Sequence, residues 1–154
     1  MASATFFILS LLFLHITLAL ANITINSTLY TNNNNNAWPS PSGEFAFGFH
    51  QLKDTNLFMV AIWYNKIPEK TIVWNSYSHS NPTPTGSKIQ LTQSGLKLTT
   101  PNGESTWIAQ TNNTVSYGSM LDNGNFVLAS SDNNNNTLVW QSFKNRYFVA
   151  KPNS

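Results

Sequence analysis

Few residues in this chain could do chemistry. Beyond the N-terminal apolar segment there are two histidines, His50 and His79, six acids, Glu44, Asp54, Glu69, Glu104, Asp122 and Asp132, and no cysteine. General acid–base catalysis needs a titratable group within reach of a nucleophile or of a second titratable group. Both histidines fall in predicted loops with no neighbouring nucleophile and no metal-ligand spacing, the ordinary setting of a solvated imidazole. The acids form no pair that argues for a glycosidase-type carboxylate couple and read as turn and solubility residues. Without a thiol, cysteine nucleophiles and Cys-based metal sites are excluded, and disulfides are absent as staples. No glycine-rich phosphate loop or His-Arg-Asp phrase suggests phosphoryl transfer. The expectation is a non-enzyme with no catalytic residues, no metal and no cofactor.

The chemistry the chain does advertise is modification. Asn-x-Ser/Thr sequons stand at Asn22, Asn26, Asn112 and Asn135, none with proline in the middle and all in polar stretches. They matter only in a chain that enters the secretory pathway, and the N-terminus points there. Phe6 to Leu14 is an apolar run broken only by Ser10, and Ala19-Leu20-Ala21 supplies small residues for cleavage. A signal peptide over residues 1–21 is predicted, with the protein secreted and extracellular. The alternative is a membrane anchor. However, Ser10, His15 and Thr17 interrupt the run, which falls short of the roughly 20 apolar residues a spanning helix needs. No membrane span is expected in the mature chain.

Composition bounds what holds such a protein together. Of 154 residues, 41% are hydrophobic and 13% aromatic, while only 9% are charged, so Asn, Ser and Thr must supply solubility. That composition suits strands and turns better than helices. The net charge of +2 is small, and the eight Lys and Arg do not cluster, which argues against nucleic acid as a partner. The length after cleavage fits one domain with a real core.

The elements that would position any site read as short strands. Apolar bursts at Glu44 to Phe49, Phe58 to Tyr64, Thr71 to Trp74, Lys88 to Leu91, Leu96 to Leu98, Ser105 to Ala109, Asn125 to Leu128 and Leu138 to Trp140 are separated by turn signals. Phe45, Phe47 and Phe49 alternate with Ala46 and Gly48, placing three rings on one face. Phe58 to Tyr64 is apolar throughout and reads as a central strand covered on both sides. The asparagine runs Asn32 to Asn36 and Asn133 to Asn136 read as polar loops.

Three tryptophans, Trp74, Trp107 and Trp140, recur with a period of 33 residues, each ending a short strand. Two strand-turn-strand phrases precede the later ones, Leu91 to Leu98 and Leu121 to Leu128, with Gly95 and Gly124 at the turns. Three sheet units with one indole each cannot bury their inner faces singly. They predict a three-sided β-prism with pseudo-threefold symmetry, in which Trp74, Trp107 and Trp140 each give a ring to the shared core. An ordinary β-sandwich is the alternative on periodicity alone.

Four phrases in order carry a resemblance: Trp38-Pro39-Ser40-Pro41-Ser42-Gly43-Glu44-Phe45-Ala46-Phe47-Gly48-Phe49, Ile62-Trp63-Tyr64-Asn65-Lys66-Ile67-Pro68-Glu69-Lys70-Thr71-Ile72-Val73-Trp74, Met120 to Leu128, and Val139-Trp140-Gln141-Ser142-Phe143. Together they resemble the bulb-type (mannose-specific, G-type) lectin domain in the extracellular part of plant G-type lectin S-receptor-like serine/threonine kinases. The resemblance spans nearly the whole mature chain and implies the β-prism fold. It sets the domain at residues 22–150, followed by a short tail, 151–154. Past Phe143 the family's usual continuation toward further modules, a membrane helix and a kinase is absent, so a lectin-only relative without kinase is expected.

The resemblance also implies a site. Bulb lectins bind mannose through Gln-x-Asp-x-Asn-x-Val-x-Tyr, whose alternate residues share one strand face. On the third repeat the pattern falls on Leu121, Asn123, Asn125, Val127 and Ala129, so Asn123, Asn125 and Val127 are the carbohydrate-binding candidates, with the Gln and Tyr positions lost. Asp122 is one residue out of phase and faces the other way. On the second repeat the positions become Thr92, Ser94, Leu96, Leu98 and Thr100, which keep none of the polar set, and the first repeat offers no match. The alternative for Asn123 and Asn125 is a turn role around Gly124. The reading that follows is a secreted lectin-like domain with largely degenerate sugar sites, binding mannose-type glycans weakly. The competing one is a protein-interaction module or soluble decoy acting on membrane receptor kinases with related lectin domains.

Overall fold

The computed structural model of the chain describes residues 21–76, 82–132 and 135–145. The signal-peptide segment up to residue 20, His79, Asn133, Asn134 and the tail 151–154 lie outside the described residues.

The N-terminal stretch supplies three short strands, β1 (Ile23–Thr24), β2 (Thr28–Tyr30) and β3 (Ala37–Pro39). The first repeat then gives β4 (Phe45–Gln51), β5 (Leu57–Tyr64) and β6 (Ile72–Asn75), with β7 (Thr83–Pro84) following. The second gives β8 (Lys88–Thr92), β9 (Gly95–Thr99) and β10 (Ser105–Gln110). The third gives β11 (Tyr117–Met120), β12 (Phe126–Asp132) and β13 (Asn135–Gln141), closed by a 3-10 turn over Ser142–Lys144.

Each repeat folds into one antiparallel sheet, and each sheet takes one N-terminal strand: the orders are β3-β4-β5-β6, β10-β9-β8-β2 and β1-β11-β12-β13, with β7 also pairing β5. This is the three-sided all-β prism expected from the sequence. The N-terminal stretch laces the three sides together, which fits an architecture whose repeats cannot stand alone.

The inner faces meet in one core. Leu29, Phe47, Phe49, Ile62, Ile89, Leu91, Leu96, Phe126 and Leu128, drawn from all three sheets, are fully or almost fully buried. Phe47 stacks on Phe126 at 4.2 Å between centroids, and Trp38 stacks on Phe47 at 5.9 Å. Each such side chain contributes roughly 1.5–3 kcal/mol on burial. That packing does the work disulfides do in many secreted domains. β5 is covered on both faces, as expected of a central strand: Val60 and Ile62 face the main core, while Met59, Ala61 and Trp63 form a second apolar cluster with Ala46.

The tryptophan set departs from expectation at one member. Every hairpin entering the third strand of a repeat carries a register irregularity: between Ile62 and Trp63, between Trp107 and Ala109, and between Leu128 and Ala129. The residue following the irregularity is Trp74, opposite Ile62, and Trp140, opposite Leu128, but in the second repeat it is Ala109, opposite Leu96. The residue preceding it is Ile72, Leu138 and Trp107. Directly opposed residues share a sheet face, so Trp107, opposite Lys97, lies outside the core and is 37% exposed. Trp74 is buried, and Trp140 packs edge-on against it at 6.1 Å. Trp107 as a core tryptophan is therefore corrected: the 33-residue spacing holds in the sequence, but the irregularity falls just before the indole in the first and third repeats and just after it in the second.

Two smaller expectations are also revised. His50 is not in a loop but on β4, half-buried, its ring tilted against Trp63 at 5.5 Å. Asn135 and Asn136 are not loop residues but open β13, pairing with Asp132 and Ser131.

Candidate carbohydrate site

The turn between β11 and β12 brings the candidate residues together in sequence but not at one solvent-facing surface. Leu121 N donates to Asn125 O and Gly124 N to Leu121 O, both at 3.0 Å, closing the turn, while Gly124 adopts φ +85°, where glycine is at ease. Asn123 is exposed, and its Oδ1 accepts from Asn125 N at 3.0 Å, an Asx turn.

Asn125 points the other way in role. It is 5% exposed, its Nδ2 donates to Gln141 Oε1 at 3.2 Å, and its Oδ1 accepts from Ser142 Oγ at 3.1 Å and Phe143 N at 3.2 Å. Its carboxamide thus ties β12 to the 3-10 turn. Val127 lies two residues along the same face, opposite Gln141 and Ser119, and is 2% exposed. Of the three candidates, Asn123 alone offers its side chain to solvent.

The equivalent positions of the other sheets are further from a sugar site. Leu96 and Leu98, where the pattern falls on the second repeat, point into the core. The outer face of β9 carries Lys97 between Gln90 and Trp107 instead. On the first sheet Met59, Ala61 and Trp63 cover the outer face of β5, and the Trp63 indole N–H is donated to Asn65 Oδ1 at 3.2 Å. That apolar surface explains why the pattern has no counterpart there.

Asp122 plays a part that the sequence did not reveal. It is exposed, and its Oδ1 accepts from Ser42 N at 2.9 Å, linking the third repeat's turn to the loop before β4. Hydrogen bonds from the Ser42 side chain and backbone hold its carboxyl below the ordinary value of 3.8, helped by Ser40 and Lys66 against a small opposing desolvation. His50 is shifted below its ordinary 6.5, first by burial and then by the Lys70 ammonium. The sequons Asn22, Asn26, Asn112 and Asn135 are all exposed. No helix among the described residues is long and apolar enough to cross a membrane.

Trp74, Leu98, Ile108, Ala109 and Trp140 line an open groove of about 1050 Å³ beside the sheet-edge strands β6, β10 and β13, with the exposed Trp107 also in its lining.

No family model matches the chain. Curated relatives do. The G-type lectin S-receptor-like serine/threonine-protein kinase RLK1 of Arabidopsis thaliana is 39% identical over 122 residues, 76% of this chain and 15% of that protein. The corresponding kinase LECRK4 of Oryza sativa subsp. japonica is 40% identical over 131 residues, 80% of this chain and 16% of that protein. LECRK3 of Oryza sativa subsp. indica is 38% identical over 148 residues, 88% of this chain and 18% of that protein. The chain spans less than a fifth of the length of these relatives.

Proposed function

Since this chain belongs with the bulb-type lectin domains of plant G-type lectin S-receptor-like kinases, we propose that it is a secreted, N-glycosylated, non-catalytic carbohydrate-binding domain whose sheet-face sugar sites are largely degenerate. The observation that carries the reading is the state of the three outer faces. The first is apolar, the second places its pattern residues inward, and the third commits the Asn125 carboxamide to the fold. Asn123 then remains to meet a sugar hydroxyl, and few hydrogen bonds are left to offset the cost of holding a ligand. Mannose-type binding at Asn123, Asn125 and Val127 is therefore weak, on the order of millimolar. The apolar run Phe6 to Leu14, the small residues before Asn22 and the exposed sequons support secretion.

The test is a glycan array with the full chain expressed through a secretory pathway. The reading expects signals for mannose-type glycans only at high protein concentration; a complete absence of glycan signal overturns it. The decoy reading draws support from Leu138, 48% exposed on edge strand β13, and Phe143, 39% exposed just after it. Co-precipitation with a related receptor kinase, lost on Leu138→Asp, would favour that reading.

A further inference from the structure

One ring of a threefold set is missing from the lining of the groove. Trp74 and Trp140 occupy the position after the register irregularity in the first and third repeats, and Ala109 occupies it in the second. Ala109 is itself buried, and with Trp74, Leu98, Ile108 and Trp140 it lines the groove at the position where the other two repeats carry an indole. The displaced indole, Trp107, has moved to the rim, where its ring is exposed and Lys97 Nζ stands 5.8 Å from its centroid.

We propose that this groove is a binding site for a neutral oligosaccharide, in place of the degenerate sheet-face sites. The proposal rests on the lectin reading above. Two features of the lining suit such a ligand. The exposed Trp107 ring and the partly buried Trp140 offer aromatic surface above the buried Trp74, which suits the apolar C–H face of a pyranose ring. The rim offers mostly neutral hydrogen-bonding groups: Asn102, Thr106 and Gln110, all exposed, and Asn145, with Glu104 the one ionisable side chain among the described residues of the lining. A few polar groups around an aromatic floor fix orientation while burial supplies affinity, the usual division of labour in small-molecule sites. Among the described residues the lining holds no lysine or arginine, Lys97 standing outside it over the Trp107 ring, so neither a strongly anionic ligand nor an extended nucleic acid meets a basic track.

The aromatic floor is held in place without the ligand. Trp74 packs edge-on against Trp140, and its Nε1 donates to Asn145 O at 3.2 Å, so the walls are already arranged for a ring to enter. A rigid site loses less on binding than one that must order itself.

The experiment titrates the glycosylated full chain with α-mannotriose, chitotriose, cellotriose and maltotriose, following the indole N–H resonances by NMR. The proposal expects at least one of them to shift the Trp107 and Trp140 signals to saturation at millimolar concentration. It expects Trp107→Ala to weaken that binding at least tenfold and Ala109→Phe, which fills the groove, to abolish it, both with the melting profile of a folded domain. Asp54→Asn, on the loop between β4 and β5 and outside the groove lining, should leave it unchanged. If an oligosaccharide binds but Asn123→Ala removes it and Trp107→Ala does not, the groove assignment is overturned while the lectin reading stands. If none of the four binds, the groove assignment is overturned, and the array above decides the lectin reading separately.

Discussion

Asn125 and Ser142 satisfy each other across the third sheet: Ser142 Oγ donates to Asn125 Oδ1 at 3.1 Å and itself accepts from Phe126 N at 3.0 Å. Both residues are buried, so the pair closes three backbone and side-chain requirements at once. The residue that resemblance assigns to a sugar is, in the fold, a structural tie.

Asn125→Ala should therefore destabilise the domain. It leaves the buried Ser142 Oγ–H without its acceptor and removes the part-buried bond from Phe143 N, at a cost of about 2–3 kcal/mol. Urea unfolding should show a lower midpoint with an unchanged slope. A shift below about 0.5 kcal/mol would contradict the structural role.

Asp122 joins the first and third repeats through Ser42, and its carboxyl is held below the ordinary value by those hydrogen bonds. A lowered native value means the unfolded chain binds the proton more readily. The stabilisation is thus complete above pH 3.8 and is lost as pH falls through the native value. Thermal melts from pH 5 down to about 2.5 should lose midpoint faster in the native protein than in Asp122→Asn.

His50 follows the same sign for a different cause. Burial on β4 and the Lys70 charge favour its neutral form, so stability is full above 6.5 and declines as acid protonates the unfolded chain more readily than the native one. His50→Gln should flatten the midpoint-versus-pH curve between about pH 7 and 5. An NMR titration placing the imidazole above 6.5 would reverse the expectation.

Gly95 adopts φ +131°, and a Cβ there would lie 2.0 Å from Ala109 O, on the neighbouring strand's backbone. Neither the angle nor the contact yields to a small rearrangement. Gly95→Ala should cost about 4 kcal/mol or more. Circular dichroism melts would detect it, and a near-wild-type midpoint would show that the β9–β10 pairing is not as described.

Much of the fold was legible in the sequence because its signals are local. The alternation of Phe45, Phe47 and Phe49 and the unbroken run from Phe58 to Tyr64 each gave the right strand and the right faces. The strands β1, β2 and β3 left no such trace. They are two or three residues long; β1 and β2 are fixed by partners far along the chain, such as Ile23 opposite Gly118, and β3 by the neighbouring β4. β11, with Gly118 and Ser119 in its four residues, likewise lacks an apolar alternation. Trp107 was misplaced because counting residues cannot see where a register irregularity falls. At the site, the turn around Gly124 was readable, but the use of Asn125 was not, since its partners sit at Gln141, Ser142 and Phe143 beyond an intervening hairpin. Lys97 beside Trp107, two strands joined face to face, was hidden for the same reason.

The central claim is that the third repeat's sugar site is committed to the fold. Titrating the full chain with methyl α-mannoside and following the backbone amides of Asn123, Asn125 and Val127 by NMR tests it most directly. The account predicts no saturation below about 1 mM. Saturable shifts at all three amides in the micromolar range, abolished by Asn123→Ala, would contradict it.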